Sequence, residues 1–392
     1  MKPTEPTQNQ CQGQGQDQDP CQDPCPCPCQ KTVPVDLGRR SYDVRVGPGL
    51  LGELGEAIAG MDGVTSAAVV TDSNVGPLYG KRAVDAIEVA GTAATRIDFP
   101  AGEANKTLAT LSQVLDALFA ATPPVDRSTV VVALGGGVAG DLAGLVAALA
   151  LRGLRFYQCP TSLLADVDAS VGGKTAVDHP AGKNLIGAFH QPAGVMIDVE
   201  TLTTLPRCEL IGGLAECVKH GVIRDASLLD YIEANAAGIL ACEPGVMTEL
   251  IARNVAIKAA VVAADEREAG ERAHLNFGHT IGHAIEVLAG YGELSHGQAV
   301  SLGMVAANHI AVARGLLDGR DAERIERLLG KLELPTRRPG LDAEEIRRIM
   351  QHDKKTLAGR VRMVLPAKLG AANVFDDTPP QAVDKAVAYL GQ

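Results

Sequence analysis

The stretch Thr129–Asp141, TVVVALGGGVAGD, constrains the fold more than any other part of the chain. A wholly apolar, β-branched run leads into Gly135, Gly136 and Gly137, and then into a helix-forming segment over Val138–Leu151. Glycines let a backbone approach a phosphate closely, and the start of the following helix offers free N–H groups and the positive end of its dipole. That is the physics of dinucleotide pyrophosphate binding. The spacing is not G-x-G-x-x-G, and a plain strand-to-helix turn would also use glycine, so both readings stand at this point.

The surrounding pattern extends the same architecture. Val33–Leu37 and Ser41–Val46 read as a hairpin, Leu50–Gly60 as a helix, Ala67–Thr71 and Thr95–Phe99 as strands, Lys106–Ala120 as an amphipathic helix, and Arg155–Cys159 as the next strand. Alternating strands and helices predict an α/β domain, a Rossmann-like parallel sheet with helices on both faces. The pattern changes near Pro206. From Glu209 onward helices are expected over 209–221, 226–238, 245–266, 274–290, 297–315, 320–331, 342–351 and 380–391, with Val361–Leu365 as the only strand-like run. The expected organisation is therefore a tail at 1–31, an α/β domain at 32–206 and an all-α domain at 207–392.

Composition excludes some functions. The formal net charge is -11, so a global basic field for nucleic acid is missing. The longest apolar run, Leu142–Leu151, is too short to span a bilayer and ends at Arg152. Residues 1–31 are almost all Gln, Pro, Cys and Asp, with no apolar signal core, so a cytoplasmic location is the expectation. Five of the nine cysteines (Cys11, Cys21, Cys25, Cys27, Cys29) lie in that tail. The run Cys25-Pro-Cys-Pro-Cys offers soft ligands but no regular CxxC pair, and the composition reads as disorder.

Several polar residues stand at C-terminal strand ends, where open α/β sheets bind ligands. Asp72 follows one strand, Glu103 and Lys106 another, and Thr161 and Ser162 a third. Farther on, His279 and His283 stand at i and i+4, on one face of a helix. His296 begins the next helix, and Glu216 lies one turn before Lys219 and His220 on an earlier one. Two imidazoles and a carboxylate suit zinc with an open position, whereas a lone histidine is more often structural. His179, His190, His274, His309 and His352 are read as structural, and His220 is left open. Cys217, next to Glu216, should face another side of its helix. Arg152, Lys174, Lys183, Lys219, Lys258 and Arg272 form a set of cations near these motifs. Lys174 and Lys183 are read as loop residues that glycine exposes. A ligand carrying both phosphate and carboxylate would need several such groups.

Taken together, these motifs resemble the 3-dehydroquinate synthase family. The matching stretches are GGGVAGDLAG (135–144), LRG (151–153), PTSLLADVDASVGGKTAVDHPAGKNLIGAF (160–189), GLAECVKHGVI (213–223), LNFGHTIGHAIE (275–286), HGQAV (296–300) and DKKTLAG (353–359), in family order. The resemblance spans essentially all of 32–392. It implies an NAD-binding α/β domain followed by a helical metal domain, with the active site between them. It implies NAD contacts from Asp72, Glu103, Lys106, Gly136, Gly137, Val138, Ala139, Gly140, Asp141, Thr161, Ser162, Asp168, Lys174, Lys183 and the segment Thr201, Leu202, Thr203, Thr204. It implies Glu216, His279 and His296 as ligands of Zn²⁺ or Co²⁺. Substrate contacts would come from Arg152, Asn184, Lys219, Lys258, Arg272, Asn276, His283 and the Lys354/Lys355 pair.

The reaction so implied is the conversion of 3-deoxy-D-arabino-heptulosonate 7-phosphate to 3-dehydroquinate. Its steps are transient oxidation by NAD, loss of phosphate, re-reduction, ring opening and aldol closure. The family's counterpart of Arg152 reaches across a dimer interface, which implies a homodimer. Ser162, Ala169, His190 and Cys208 depart from the usual family pattern without removing a named ligand. Three rival readings are a sister cyclase acting on a neutral sugar phosphate, a metal-dependent polyol dehydrogenase that releases NADH, and a non-catalytic protein binding metal through its tail.

Overall fold

The computed structural model describes residues 30–392 except 269, 291–292, 353–355 and 358–359. The expectations for the cysteine-rich tail and for Lys354 and Lys355 lie outside the described residues.

The chain opens with an antiparallel hairpin, β1 (Lys31–Val35) and β2 (Tyr42–Gly47), in which Val33 stands opposite Val44. A 3-10 turn over Leu50–Glu53 leads into α1 (Leu54–Ala59), so the helix expected over 50–60 is half 3-10. Then come β3 (Ser66–Asp72), α2 (Lys81–Val89), β4 (Ala93–Phe99), α3 (Leu108–Phe119), β5 (Thr129–Gly135), α4 (Gly137–Leu149) and β6 (Arg155–Pro160). The stretches read as glycine loops around Lys174 and Lys183 are instead a hairpin, β7 (Lys174–His179) and β8 (Gly182–Phe189), with Lys174 opposite Phe189. β9 (Gly194–Asp198) completes the main sheet.

That sheet has seven strands in the order β1-β2-β9-β6-β5-β3-β4, and every pairing beyond the first hairpin is parallel. β3 and β5 are buried at every position, as strands covered by helices on both faces must be. The chain passes from β3 outward to β4, then returns to place β5 on the other side of β3. The strand order therefore reverses between β3 and β5, and a crevice opens there at their carboxyl ends. Asp72 ends β3 and Gly135 ends β5, so sheet topology alone brings Asp72 to the glycine turn.

From Arg207 the chain is mostly helical: α5 (Arg207–Arg224), α6 (Ala226–Leu240), α7 (Pro244–Ala264), α8 (His279–Ala289), α9 (His296–Ala313), α10 (Gly319–Lys331), α11 (Ala343–His352) and α12 (Pro380–Leu390). The helix expected over 274–290 starts later, because Glu271–Asn276 forms a 3-10 turn and Gly278, at φ 78°, takes a left-handed conformation ahead of α8. The single strand expected here is four short ones. β10 (Thr356–Leu357) pairs with β11 (Arg360–Val361), and β12 (Met363–Lys368) pairs with β13 (Ala371–Phe375).

One apolar core runs through α5, α6, α7, α8 and α9 and takes in Val35, Val44 and Val46 of the first hairpin. The edge of the sheet is thus packed against the helical half. No helix among the described residues is long and apolar enough to cross a membrane.

Candidate active site

The glycine turn has the form an anion needs. Gly136 caps α4 and supplies no side-chain hydrogen bond, so the first-turn N–H groups of the helix are left for a ligand. Gly135 has φ 154°, and a Cβ there would sit 2.7 Å from the Ala139 side chain and 3.3 Å from Asp72 Oδ2. Asp72 is held in place by two backbone donors, Asn74 N at 2.8 Å and Val75 N at 3.0 Å. Thr161 N donates to Gly135 O at 3.0 Å, which ties the end of β6 to the turn. Ser162 Oγ stands beside Gly136.

Lys106 is buried and donates to Asp141 Oδ2 at 2.5 Å and to Asn184 Oδ1 at 2.6 Å. Burial pushes the Asp141 carboxyl up, against the pull of Lys106. Ala139 and Leu202, counted among the cofactor contacts, have their side chains in the core, so only their backbone groups are available to a ligand. The Thr201, Thr203 and Thr204 hydroxyls bond to carbonyls of their own 3-10 turn. Thr204 also meets Tyr79 OH at 2.7 Å. Lys174 pairs with Glu268. Lys183 lies 3.9 Å from Glu103 and 3.1 Å from Glu286.

The helical half supplies a carboxylate between imidazoles. Glu216, on α5, is wholly buried; its Oε1 meets no hydrogen-bond donor and its Oε2 ion-pairs with Lys219. Oε1 lies 3.5 Å from His279 Nε2 and 3.9 Å from His296 Nε2. The far nitrogens of both rings are engaged: His279 Nδ1 is 3.1 Å from Phe277 O, and His296 Nδ1 is 3.2 Å from Glu286 Oε2. With Nδ1 donating, each Nε2 turns a lone pair toward Glu216. An orphaned carboxylate oxygen facing two such lone pairs fits a divalent cation of the zinc or cobalt kind. His283, four residues after His279 on α8, has its ring centroid 5.3 Å from that of His279 and 5.7 Å from that of His296. One ring nitrogen from each of His279, His283 and His296 lies within 4.8 Å of the other two.

Cations gather beside this cradle. Lys219, Lys258 and Arg272 are all buried. Lys258 reaches Asp168 at both its backbone carbonyl and its Oδ1, the latter at 2.6 Å. Burial would raise the Asp168 pKa, but the Lys258 and Lys219 ammonium groups hold it well below the usual carboxylate range. Burial also pushes Lys258 down, to about 8, against the pull of Asp168. Arg272 Nη1 donates to Glu266 O at 2.8 Å and to Gly172 O at 3.4 Å. Gly172 has φ 102°, and a Cβ there would meet Arg272 Nη2 at 2.5 Å. Asn276 ends the same 3-10 turn that carries Arg272.

Arg152 stands apart. It is exposed, at φ 67°, beyond the C-terminal end of α4. At a helical rise of 1.5 Å per residue that is about 20 Å from the glycine turn.

Sequence reasoning missed Glu286, which holds both His296 and Lys183. Its signal was present, since residues 279, 283 and 286 share one helix face. Among the histidines read as structural, His190 Nε2 lies 2.8 Å from Leu154 O and its ring stacks on Phe156. His309 stacks on Tyr389. Cys217 points away from the cradle, with its Sγ 3.7 Å from Gly213 O.

A glycine turn at the switch point of a parallel sheet, set beside a helical block with a carboxylate–imidazole cradle, defines a class of two-part α/β and helical enzymes. Within that class the comparisons are specific. Residues 96–212 match the model for the 3-dehydroquinate synthase N-terminal region, and 213–356 the model for the C-terminal region. The 3-dehydroquinate synthase of Symbiobacterium thermophilum is 49% identical over 352 residues, covering 89% of this chain and 98% of that one. Among solved structures, 2-epi-5-epi-valiolone synthase from Streptomyces hygroscopicus, with NAD⁺ and Zn²⁺ bound, matches with TM-score 0.81 and 30% identity over 89% of this chain and 96% of that chain. A 2-deoxy-scyllo-inosose synthase complexed with carbaglucose-6-phosphate, NAD⁺ and Co²⁺ matches with TM-score 0.83 and 26% identity, over 91% and 99%. The chain belongs to the 3-dehydroquinate synthase family.

Proposed function

We propose that the chain converts 3-deoxy-D-arabino-heptulosonate 7-phosphate to 3-dehydroquinate and phosphate, with NAD at the glycine turn and Zn²⁺ or Co²⁺ between Glu216, His279 and His296. The observation that carries the reading is the orphaned Glu216 Oε1 facing two lone-pair-bearing imidazoles, with buried Lys219, Lys258 and Arg272 in the same half of the protein. When bound, NAD takes and returns a hydride, and the metal polarises the oxygens at the reacting carbon.

The protein's own groups bind and orient. Lys258 and Arg272 hold the substrate carboxylate, and Asn276 frames it. His283 and Asn184 hold the phosphate together with the Lys354/Lys355 pair. Lys219 stands beside the metal ligand Glu216. Asp72, Thr161, Ser162 and the α4 N-terminus hold the dinucleotide, with Lys106 and Asp141 beside it. Holding the substrate in one conformation near its own phosphate lets that phosphate act as a base.

Arg152 completes the phosphate site from a second copy, so the working form is a homodimer. Its exposed position about 20 Å from its own glycine turn supports this. So do Leu149, Leu185 and Phe189, which are exposed apolar residues on α4 and on the hairpin that packs against it. We place the boundary between the two halves at about residue 206.

Three substrates test the reading: the heptulosonate phosphate, sedoheptulose 7-phosphate and glucose 6-phosphate, each with NAD and Zn²⁺. Turnover of the first alone is expected, because only it carries a carboxylate for Lys258 and Arg272. Turnover of either neutral sugar phosphate instead would replace this reading with that of a sister cyclase.

A further inference from the structure

His220 lies on α5 one turn beyond Glu216 and is wholly buried. Its Nδ1 is 3.0 Å from Asn254 Oδ1. Asn254, also buried, donates its own Nδ2 to Leu250 O at 2.7 Å. That bond turns the amide oxygen toward the ring, so Nδ1 carries the proton and Nε2 is a bare acceptor. The Nε2 atom is buried and has no hydrogen-bond partner. A ring nitrogen of His220 lies within 4.8 Å of carboxylate oxygens of both Asp168 and Glu216.

The interior around it is rich in donors. Lys219 and Lys258 each bring three N–H groups. Lys219 pairs with Glu216, and Lys258 with Asp168. A bare imidazole nitrogen buried in such a place needs a donor, and leaving it without one would be destabilising.

We propose that Asn254 and His220 form a positioning pair for Lys219: Asn254 fixes the tautomer, and one buried water bridges the Lys219 ammonium to His220 Nε2, which accepts from it. The remaining N–H groups of Lys219 are thereby aimed at Glu216 and at the substrate. The role of Lys219 rests on the function proposed above.

Two variants of the holoenzyme discriminate this from packing alone. Gln at 220 places an amide near the Nε2 position, and Asn places one near Nδ1. His220→Gln should keep kcat within about 3-fold, whereas His220→Asn should lose ~10- to 100-fold in kcat, with KM, metal content and NAD affinity little changed. A purely structural role, exerted through the Asn254 bond, gives the reverse order, and that order would overturn the proposal. A second measurement needs no variant and no turnover. ¹⁵N NMR of the histidine-labelled holoenzyme should show His220 protonated on Nδ1 and bare on Nε2. The opposite tautomer overturns the proposal even if the unaltered protein turns over its substrate. Failure of the substrate assay with the expected tautomer would instead count against the function reading.

Discussion

Glu286 Oε2 stands 3.2 Å from His296 Nδ1, while Oε1 of the same carboxylate stands 3.1 Å from Lys183 Nζ. One side chain on α8 therefore fixes the ring of His296, a proposed metal ligand on α9, and reaches the β7–β8 hairpin of the sheet half. A carboxylate behind a ligating imidazole sets the tautomer and raises the basicity of the ligand.

Removing that carboxylate should loosen the metal. Glu286→Ala is expected to weaken zinc binding ~10- to 100-fold, read by competition with a chelator. NAD binding, proposed to rest on the glycine turn, should change little. Unaltered zinc affinity would show that His296 is held by other means.

Gly135→Ala should act on the opposite half. The new Cβ would sit 2.7 Å from Ala139, so the turn must shift at the point proposed to hold the dinucleotide. NAD affinity should fall by ~10-fold or more, about 1.4 kcal/mol or more, measured by calorimetry, with metal content unchanged. Full NAD affinity would mean that the turn has room that the geometry denies it.

These two sites were legible in the sequence to different degrees. The Gly135 turn was plain, because a wholly apolar strand and three adjacent glycines leave few other structures. The triad of Glu216, His279 and His296 was visible as residue types, but the distances between them depend on how three helices pack. The β7–β8 hairpin has no clear strand signal, because β8 is largely exposed and carries Gly182, Lys183, Asn184 and Gly187, so no alternation of apolar and polar residues marks it. The 3-10 turn before α8 was hidden because the sequence around Gly278 keeps its helical periodicity. Glu286 was passed over because its role exists only once α9 folds back along α8.

Lys258 should set an alkaline limit on substrate binding. Burial places its pKa at about 8 in the folded protein, below the ordinary lysine value of 10.5. As pH rises through 8 the ammonium is lost, and kcat/KM should fall, approaching tenfold per pH unit. Lys258→Arg should move that limb upward in pH. Stability runs the other way. Below pH 8 the lysine is protonated in both the folded and unfolded states, and the cost of burying its charge is fully present. Between about pH 8 and 10.5 the unfolded chain binds the extra proton, so this group makes stability rise with pH. An alkaline limb that persists unshifted in Lys258→Arg would assign it to another group.

Arg152 and His279 should complement each other between subunits. Arg152→Ala and His279→Ala are each expected to be inactive. A mixed dimer holds one intact site, built from the metal cradle of one chain and the arginine of the other. With free exchange, half the dimers are mixed and each has one good site of two, so about one quarter of wild-type activity should return. Mixed dimers that form without any activity would place Arg152 outside the site.

In the proposed reaction NAD is used and restored within a single turnover while phosphate leaves. The direct measurement follows phosphate release and absorbance at the NADH wavelength together, with the heptulosonate phosphate and NAD present in excess over enzyme. Many phosphates released per active site, 3-dehydroquinate formed in equal amount and no net accumulation of NADH are expected. NADH accumulating in step with substrate consumed, without phosphate release, would contradict this reaction and make the protein a dehydrogenase.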